Sequence, residues 1–446
     1  MTTMLQSARS RVLDDLGLDA SSSFTWTGVE REGNEVSLHW DLDGVGRLTE
    51  RLVFHGVSLD GTGVRRTAID RSLRLLHLVA GVSYLKTTLP PDLRTGPISP
   101  AVRDLLAAIT TDGLAELAWD HDVDLRGHFT FPEPATAPEA AVPIGATAGP
   151  LVPIGGGKDS IVTLDAVADH EPTLFAVNPR GPILRTFEAA GHPTVTVDRH
   201  LDPELFALND RGAVNGHVPV TAIVSAIAVV AAVAGGHSAV LLSNERSADQ
   251  ATVVTDDGRA INHQWSKSSA FERAFARIVA DEVAPDVTYL SLLRPASELW
   301  IARRFSELGS WDTVFNSCNR AFHLQGQRRE WCGHCPKCRF VFLALAPFMG
   351  RDRVVGILGR DLLDDPDQVD DYAALAGLTD HKPFECVGEA EESAAALASL
   401  AADPDWADDA VVAALADRLP VGPDALESFL ATPDTSALPA PWDQVL

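Results

Sequence analysis

Between Phe24 and Phe54 the chain alternates apolar and polar residues at a spacing of two. Phe24-Thr25-Trp26, Glu35–Trp40 and Leu48–Phe54 each read as half-buried strands, with Gly33-Asn34 a hairpin turn between the first two. Ser72–Ala80 changes to helical spacing, so residues 1–131 are expected to form an N-terminal α+β domain, a small antiparallel sheet with helices. Residues 132–150, rich in Pro and Ala and poor in large apolar side chains, read as a linker. From 151 the pattern changes again. Strand-like runs at Thr173–Val177, Thr194–Val197, Ala239–Leu242 and Val287–Leu290 alternate with helical patterns, notably Val218–Ala234 and Ser269–Ala280. That order predicts an α/β domain over 151–350, a doubly wound and mostly parallel sheet with ligands outside the carboxyl ends of its strands. Residues 351–446 turn acidic and Ala-rich and read as a C-terminal helical tail. No internal repeat is visible.

The densest chemical signal opens the α/β domain. Leu151-Val152-Pro153-Ile154 runs into Gly155-Gly156-Gly157-Lys158-Asp159-Ser160, and a helical pattern follows. A strand, a glycine loop and a helix N-terminus make a phosphate cradle: glycines admit close approach, and the unpaired amides of the first turn point at the anion. Ser160 adds a hydroxyl, and Lys158 is expected to supply a mobile positive charge. This is not a Walker A sequence, because Asp159 follows Gly157-Lys158 and Val152 holds the first glycine position. The loop resembles the SGGxDS type of the N-type ATP pyrophosphatases, the PP-loop superfamily, with Gly155 where serine is commoner. The bland alternative is a glycine-rich turn that holds no ligand.

Composition narrows the function. The chain has 446 residues, enough for two or three domains, and a net charge of -26. So acidic a surface repels phosphate backbones and disfavours a nucleic-acid substrate. The first residues are polar and lack the apolar core of a secretory signal. Val218–Gly236 is uncharged over 19 residues, yet its Ala, Val, Thr221 and Ser225 fit a buried crossover helix better than a bilayer span. A cytoplasmic protein with no membrane segment is expected, and no obligate protein partner is evident.

Four of the five cysteines, Cys318, Cys332, Cys335 and Cys338, fall within 21 residues. Overlapping C-x-x-C steps with an upstream thiolate suit a closed tetrahedral zinc site whose role is structural, with His334 or His323 as alternative ligands. Four unliganded thiols are the competing reading. A similar cluster occurs in 7-cyano-7-deazaguanine synthases, which are also PP-loop enzymes. Three polar sites flank the expected crevice. Asn178 closes the second strand, Ser243-Asn244-Glu245-Arg246-Ser247-Ala248-Asp249 follows another, and Asn262-His263-Gln264-Trp265-Ser266-Lys267-Ser268 precedes a helix. Each stretch alone reads as a solvated loop or helix cap.

Together, Gly155–Ser160, Ser243–Ala248, Asn262–Ser268, Trp331–Arg339 and Lys382–Gly388 resemble the ATP-dependent UDP-N-acetylmuramoyl-L-alanyl-L-glutamate epimerases over nearly the whole chain. That resemblance implies inversion of the terminal L-Glu of the UDP-muramoyl dipeptide for peptidoglycan synthesis, through adenylylation of its carboxyl group. AMP and diphosphate would be released, with Mg²⁺ on the phosphates. It implies nucleotide binding at Gly155, Gly156, Gly157, Lys158, Asp159, Ser160, Asn178, Asn244, Glu245 and Arg246. His217, His263, Lys267 and Cys386 are candidates for the acid and base, each with an ordinary structural role as the alternative. Competing functions are another PP-loop enzyme, either an amide-forming ligase or a deazaguanine-type nucleobase-modifying enzyme, and a catalytically silent nucleotide-binding regulator. No glutaminase-type segment supports the ligase, and the net charge opposes a tRNA substrate.

Overall fold

The structure, a computed structural model, describes residues 12, 14, 22–134, 140–322, 331–379 and 382–446. It divides into two compact units that interleave along the chain. Unit 1 takes 1–151, 194–240 and 261–290; unit 2 takes 152–193, 241–260 and 291–446. The sequence passes from unit 1 to unit 2 inside three strands, β5 (Leu151–Pro153), β8 (Ala239–Leu242) and β11 (Thr288–Ser291).

In unit 1, strands β1 (Ser23–Glu32), β2 (Glu35–Leu42), β3 (Gly46–His55), β4 (Asp92–Arg94) and β7 (Thr194–His200) lie in the order β7-β3-β2-β1-β4. The three long strands and β7 pair antiparallel, and β4 joins β1 in parallel. The expected hairpin is present: Glu32 faces Glu35 across Gly33-Asn34, with Gly33 in the left-handed region at φ +56°. Val36, Leu38, Trp40 and Leu42 are buried on one strand, and Trp40 packs against Tyr84 at a ring separation of 4.8 Å. Buried Glu50 on β3 is matched by Arg199 on β7 through two bonds of 2.7 and 2.9 Å. A buried carboxylate needs such a partner.

Helix α1 (Gly63–Ala80) packs on α4 (Val220–Gly235) within unit 1. The uncharged run seen in the sequence is α4, nearly all of it buried, and it ends at Gly236 with φ +71°. Among the described residues, no helix is long and apolar enough to cross a membrane.

In unit 2 the order over the carboxyl halves of the strands is β11-β8-β5-β6, with β6 at Thr173–Val177. β5 and β8 pair in parallel, and Thr288 to Ser238 and Leu292 to Leu242 keep one offset, the sign of a parallel ladder. The mixed α/β class read from the sequence is therefore present. Helices α3 (Lys158–Ala166), α6 (Glu298–Ser306), α7 (Pro336–Leu345), α8 (Arg351–Leu358), α9 (Val369–Leu375), α10 (Ala390–Ala401) and α11 (Ala410–Leu415) supply one continuous apolar core, so the expected helical carboxyl-terminal region is present too. Two helices of unit 1 matter below, α2 (Ala115–Asp120) and α5 (Ser269–Ile278).

Candidate functional site

The loop after β5 is tied to its surroundings by two backbone hydrogen bonds. Ile154 N–H donates to Phe175 O at 2.8 Å, tying the strand end to β6, and Asn316 N–H donates to Gly156 O at 2.9 Å. Gly156 sits at φ +80°, and a Cβ there would lie 2.8 Å from Pro182, so only glycine fits. Gly157 is the N-cap of α3 and offers no side-chain cap, which leaves first-turn amides of α3 unsatisfied by any capping side chain. Ser160 Oγ donates back to Gly157 O at 3.0 Å.

Lys158 departs from expectation. It is 2% exposed and pairs with Asp159 and with Glu298 at the start of α6. Burial opposes its charge, but the two carboxylates outweigh that and raise its pKa above the usual ammonium range. The lysine is thus an internal counter-ion, because two acids meet it inside the fold. Burial likewise raises the Glu298 carboxyl, against the pull of Lys158. Neighbouring Glu392 is almost wholly buried and caps two helices at once. It accepts from Glu298 N–H at 2.8 Å and from Glu389 N–H at 3.0 Å.

The polar stretch after β8 also lies in unit 2. Asn244 donates to Ser291 Oγ at 2.9 Å, Glu245 accepts from Ser247 Oγ at 2.9 Å, and Arg246 grips Glu389 bidentately at 3.1 and 2.9 Å. Asn178 closes β6 in the left-handed region at φ +46°, a conformation asparagine tolerates. Cys386 is partly buried in the segment leading to α10.

The Sγ atoms of Cys318, Cys332, Cys335 and Cys338 all lie within 4.8 Å of one another. Cys338 stands 3.5 Å from Cys335 and 3.7 Å from Cys332, far too long for disulfides. Tetrahedral zinc with bonds of ~2.3 Å has sulfur–sulfur edges of ~3.8 Å, so the cluster has the right size for that ion. Gly333 turns the knuckle at φ +68°. His334 is turned to Arg360 and stands outside the four-thiol group, while His323 lies outside the described residues.

Three of the four proton-transfer candidates meet in unit 1. His263 Nδ1 is 2.5 Å from Glu116 Oε2 on α2, and His217 Nδ1 is 3.9 Å from the same oxygen. The two imidazoles lie 4.4 Å apart, and Lys267 bonds Gln264 at 3.4 Å in the turn before α5. Burial pushes His217 down to about 4, helped by the charges of His263 and Lys267 and opposed by Glu116. His217 is therefore neutral near pH 7. The three donor atoms are close enough to hold a cation, and the charge of Lys267 acts on the same group. Glu116 carried no motif, and its distance from His263 in the sequence left no local signal.

The chain matches the MurL N-terminal domain over residues 19–292 and the MurL C-terminal domain over 314–428. The chain belongs to the MurL family. Relatives include a Xanthomonas oryzae pv. oryzae protein, 44% identical over 87% of this chain and 87% of its own length. A Salinispora tropica protein is 44% identical over 90% and 87%, and one from Micromonospora sp. is 45% identical over 85% of each chain. All three are named UDP-N-acetyl-alpha-D-muramoyl-L-alanyl-L-glutamate epimerase. No solved structure matches.

Proposed function

We propose that this MurL-family chain is an isomerase that inverts the terminal L-Glu of UDP-MurNAc-L-Ala-L-Glu to D-Glu for peptidoglycan precursors. The observation that carries the reading is the identity of 44–45% over 85–90% of the chain with relatives bearing that name. The finer mechanism is an ATP-dependent one on a PP-loop that opens after β5. Its support is the glycine loop with uncapped first-turn amides, donors suited to phosphate oxygens. Gly155, Gly156, Gly157, Asp159 and Ser160 would hold the phosphates, with Asn178, Asn244, Glu245 and Arg246 as further nucleotide-site residues and Lys158 fixing Asp159. Magnesium would neutralise phosphate charge, and Asp159, 27% exposed, is the loop carboxylate able to meet it. Zinc, held by Cys318, Cys332, Cys335 and Cys338, would pin its loop and supply no reaction step.

The chemistry requires activation. Removing an α-proton beside an ionised carboxylate builds a second negative charge next to the first, and adenylylation removes the first charge. A base then takes the α-proton and an acid returns one to the opposite face, after which water releases AMP. The pool for these roles is His217, His263, Lys267 and Cys386. The test is incubation with ATP, Mg²⁺ and UDP-muramoyl-L-Ala-L-Glu in D₂O. Deuterium should enter at the glutamate α-carbon, with the D-Glu diastereomer and AMP as products. AMP formed while the α-carbon keeps its proton would point to a ligase instead.

A further inference from the structure

Unit 2 contains a cavity of about 850 Å³ lined by none of the residues assigned above to the nucleotide or to proton transfer. Its volume lies in the range of small-molecule sites. Trp331 and Phe315 form one wall, their rings 5.3 Å apart at 64°, and Trp331 keeps part of its surface exposed. Arg185, Arg353 and Arg360 line the rest with Asp312 and Asp352, three guanidinium groups against two carboxylates, and Arg353 is already committed to Asp312 by two bonds of 2.7 and 2.9 Å. In a chain of net charge -26 that balance is locally reversed.

Two details bear on what the cavity could hold. Arg360 Nη2 donates to Gly333 O at 2.8 Å, but its Nε is buried with no hydrogen-bond partner. A buried donor left unsatisfied is costly, and this one packs beside Gly333 at the cavity wall. Gly356 lies inside α8, where glycine weakens a helix, and a Cβ there would meet nothing within 4 Å. Gly356 is exposed and leaves α8 without a side chain where it lines the cavity.

We propose that this cavity binds the uridine diphosphate end of the substrate, the uracil against Trp331 and the diphosphate beside Arg185 and Arg360. The inference rests on the reading of the substrate as a UDP-linked dipeptide, and it names residues for the nucleotide handle. Arg360 also braces Gly333 between Cys332 and His334, so the four-cysteine cluster holds the wall of the cavity as well as its own loop.

The test titrates UDP into the intact zinc-loaded protein by calorimetry, with ADP as the competing arm. Trp331→Ala should weaken UDP by about tenfold, as loss of a stacking platform does. Gly356→Ala adds a Cβ that meets nothing within 4 Å on the cavity side of α8, so it should weaken UDP by a smaller factor while the thermal midpoint holds or rises. UDP binding left unchanged by both variants overturns the proposal, as does ADP displacing UDP with equal affinity. Failure to bind UDP at all also overturns it, whereas the D₂O exchange experiment judges the epimerase reading separately.

Discussion

Cys318, Cys332, Cys335 and Cys338 meet in unit 2 from within 21 residues, whereas Glu116 and His263 meet in unit 1 from positions 147 residues apart. The first cluster is brought together by its own turns, at a spacing that suits a metal ion. The second is held by the fold around it. Lys86 pins the loop before His217 by donating to Val214 O at 3.1 Å and to Asn215 Oδ1 at 3.0 Å, and His121 reaches Asn215 O at 2.9 Å. A local cluster should therefore fail as a block when its ion is lost, while a dispersed one should lose function in steps as single partners are removed.

The largest effect is expected for Cys332→Ser combined with Cys335→Ser. Elemental analysis should show zinc in the parent and its loss in the variant. Because structural zinc binding is folding free energy, the thermal midpoint should drop steeply and activity should vanish. Full metal content in the double variant would remove zinc from these thiols. Next in size is Asp159→Ala. Glu298 still neutralises Lys158 in this variant, so the fold should persist while AMP formation falls by about a thousandfold. A variant that forms AMP at the parent rate would take the loop out of the chemistry.

The same contrast explains what could be read in advance. The hairpin at Gly33-Asn34, the buried helix over Val220–Gly235 and the thiol cluster all announce themselves through neighbours in sequence. Lys158 did not, since its burial depends on Glu298, 140 residues on. Glu392, capping both α6 and α10, carries no signal in the acidic, Ala-rich run around it, since its partners are set by the fold. Nor did strand patterns reveal that the two units interleave, because the passages fall inside β5, β8 and β11 where periodicity is unbroken.

A smaller effect tests the dispersed cluster. Glu116→Gln keeps the size of the side chain but removes the charge facing His263 and His217. If these histidines move protons, α-deuterium incorporation should fall by about a hundredfold with AMP formation largely retained. The pH optimum should also shift, which a merely structural partner would not cause. Equal loss of AMP and exchange would argue for a structural Glu116.

The smallest effect concerns stability. In the folded chain His217 is pushed by burial from 6.5 to about 4, with His263 and Lys267 adding to the shift and Glu116 opposing it. Between those values the unfolded chain binds a proton that the folded one refuses. The stability linked to neutral His217 is therefore complete above pH 6.5 and is lost as pH falls towards 4, by about 1.4 kcal/mol for each pH unit. His77, also lowered to about 4 chiefly by burial, contributes a second slope of the same sign. Denaturant titrations at pH 4.5, 5.5, 6.5 and 7.5 on parent and His217→Gln should thus give curves that converge on acidification. The variant, with no proton to refuse at that position, should lose less stability per pH unit than the parent. Groups common to both chains cancel in the difference, including Glu392, which burial raises to about 7 and which acts in the opposite direction. Parallel curves would mean that His217 titrates normally in the folded chain, and the neutral member of the pair would have to be sought elsewhere.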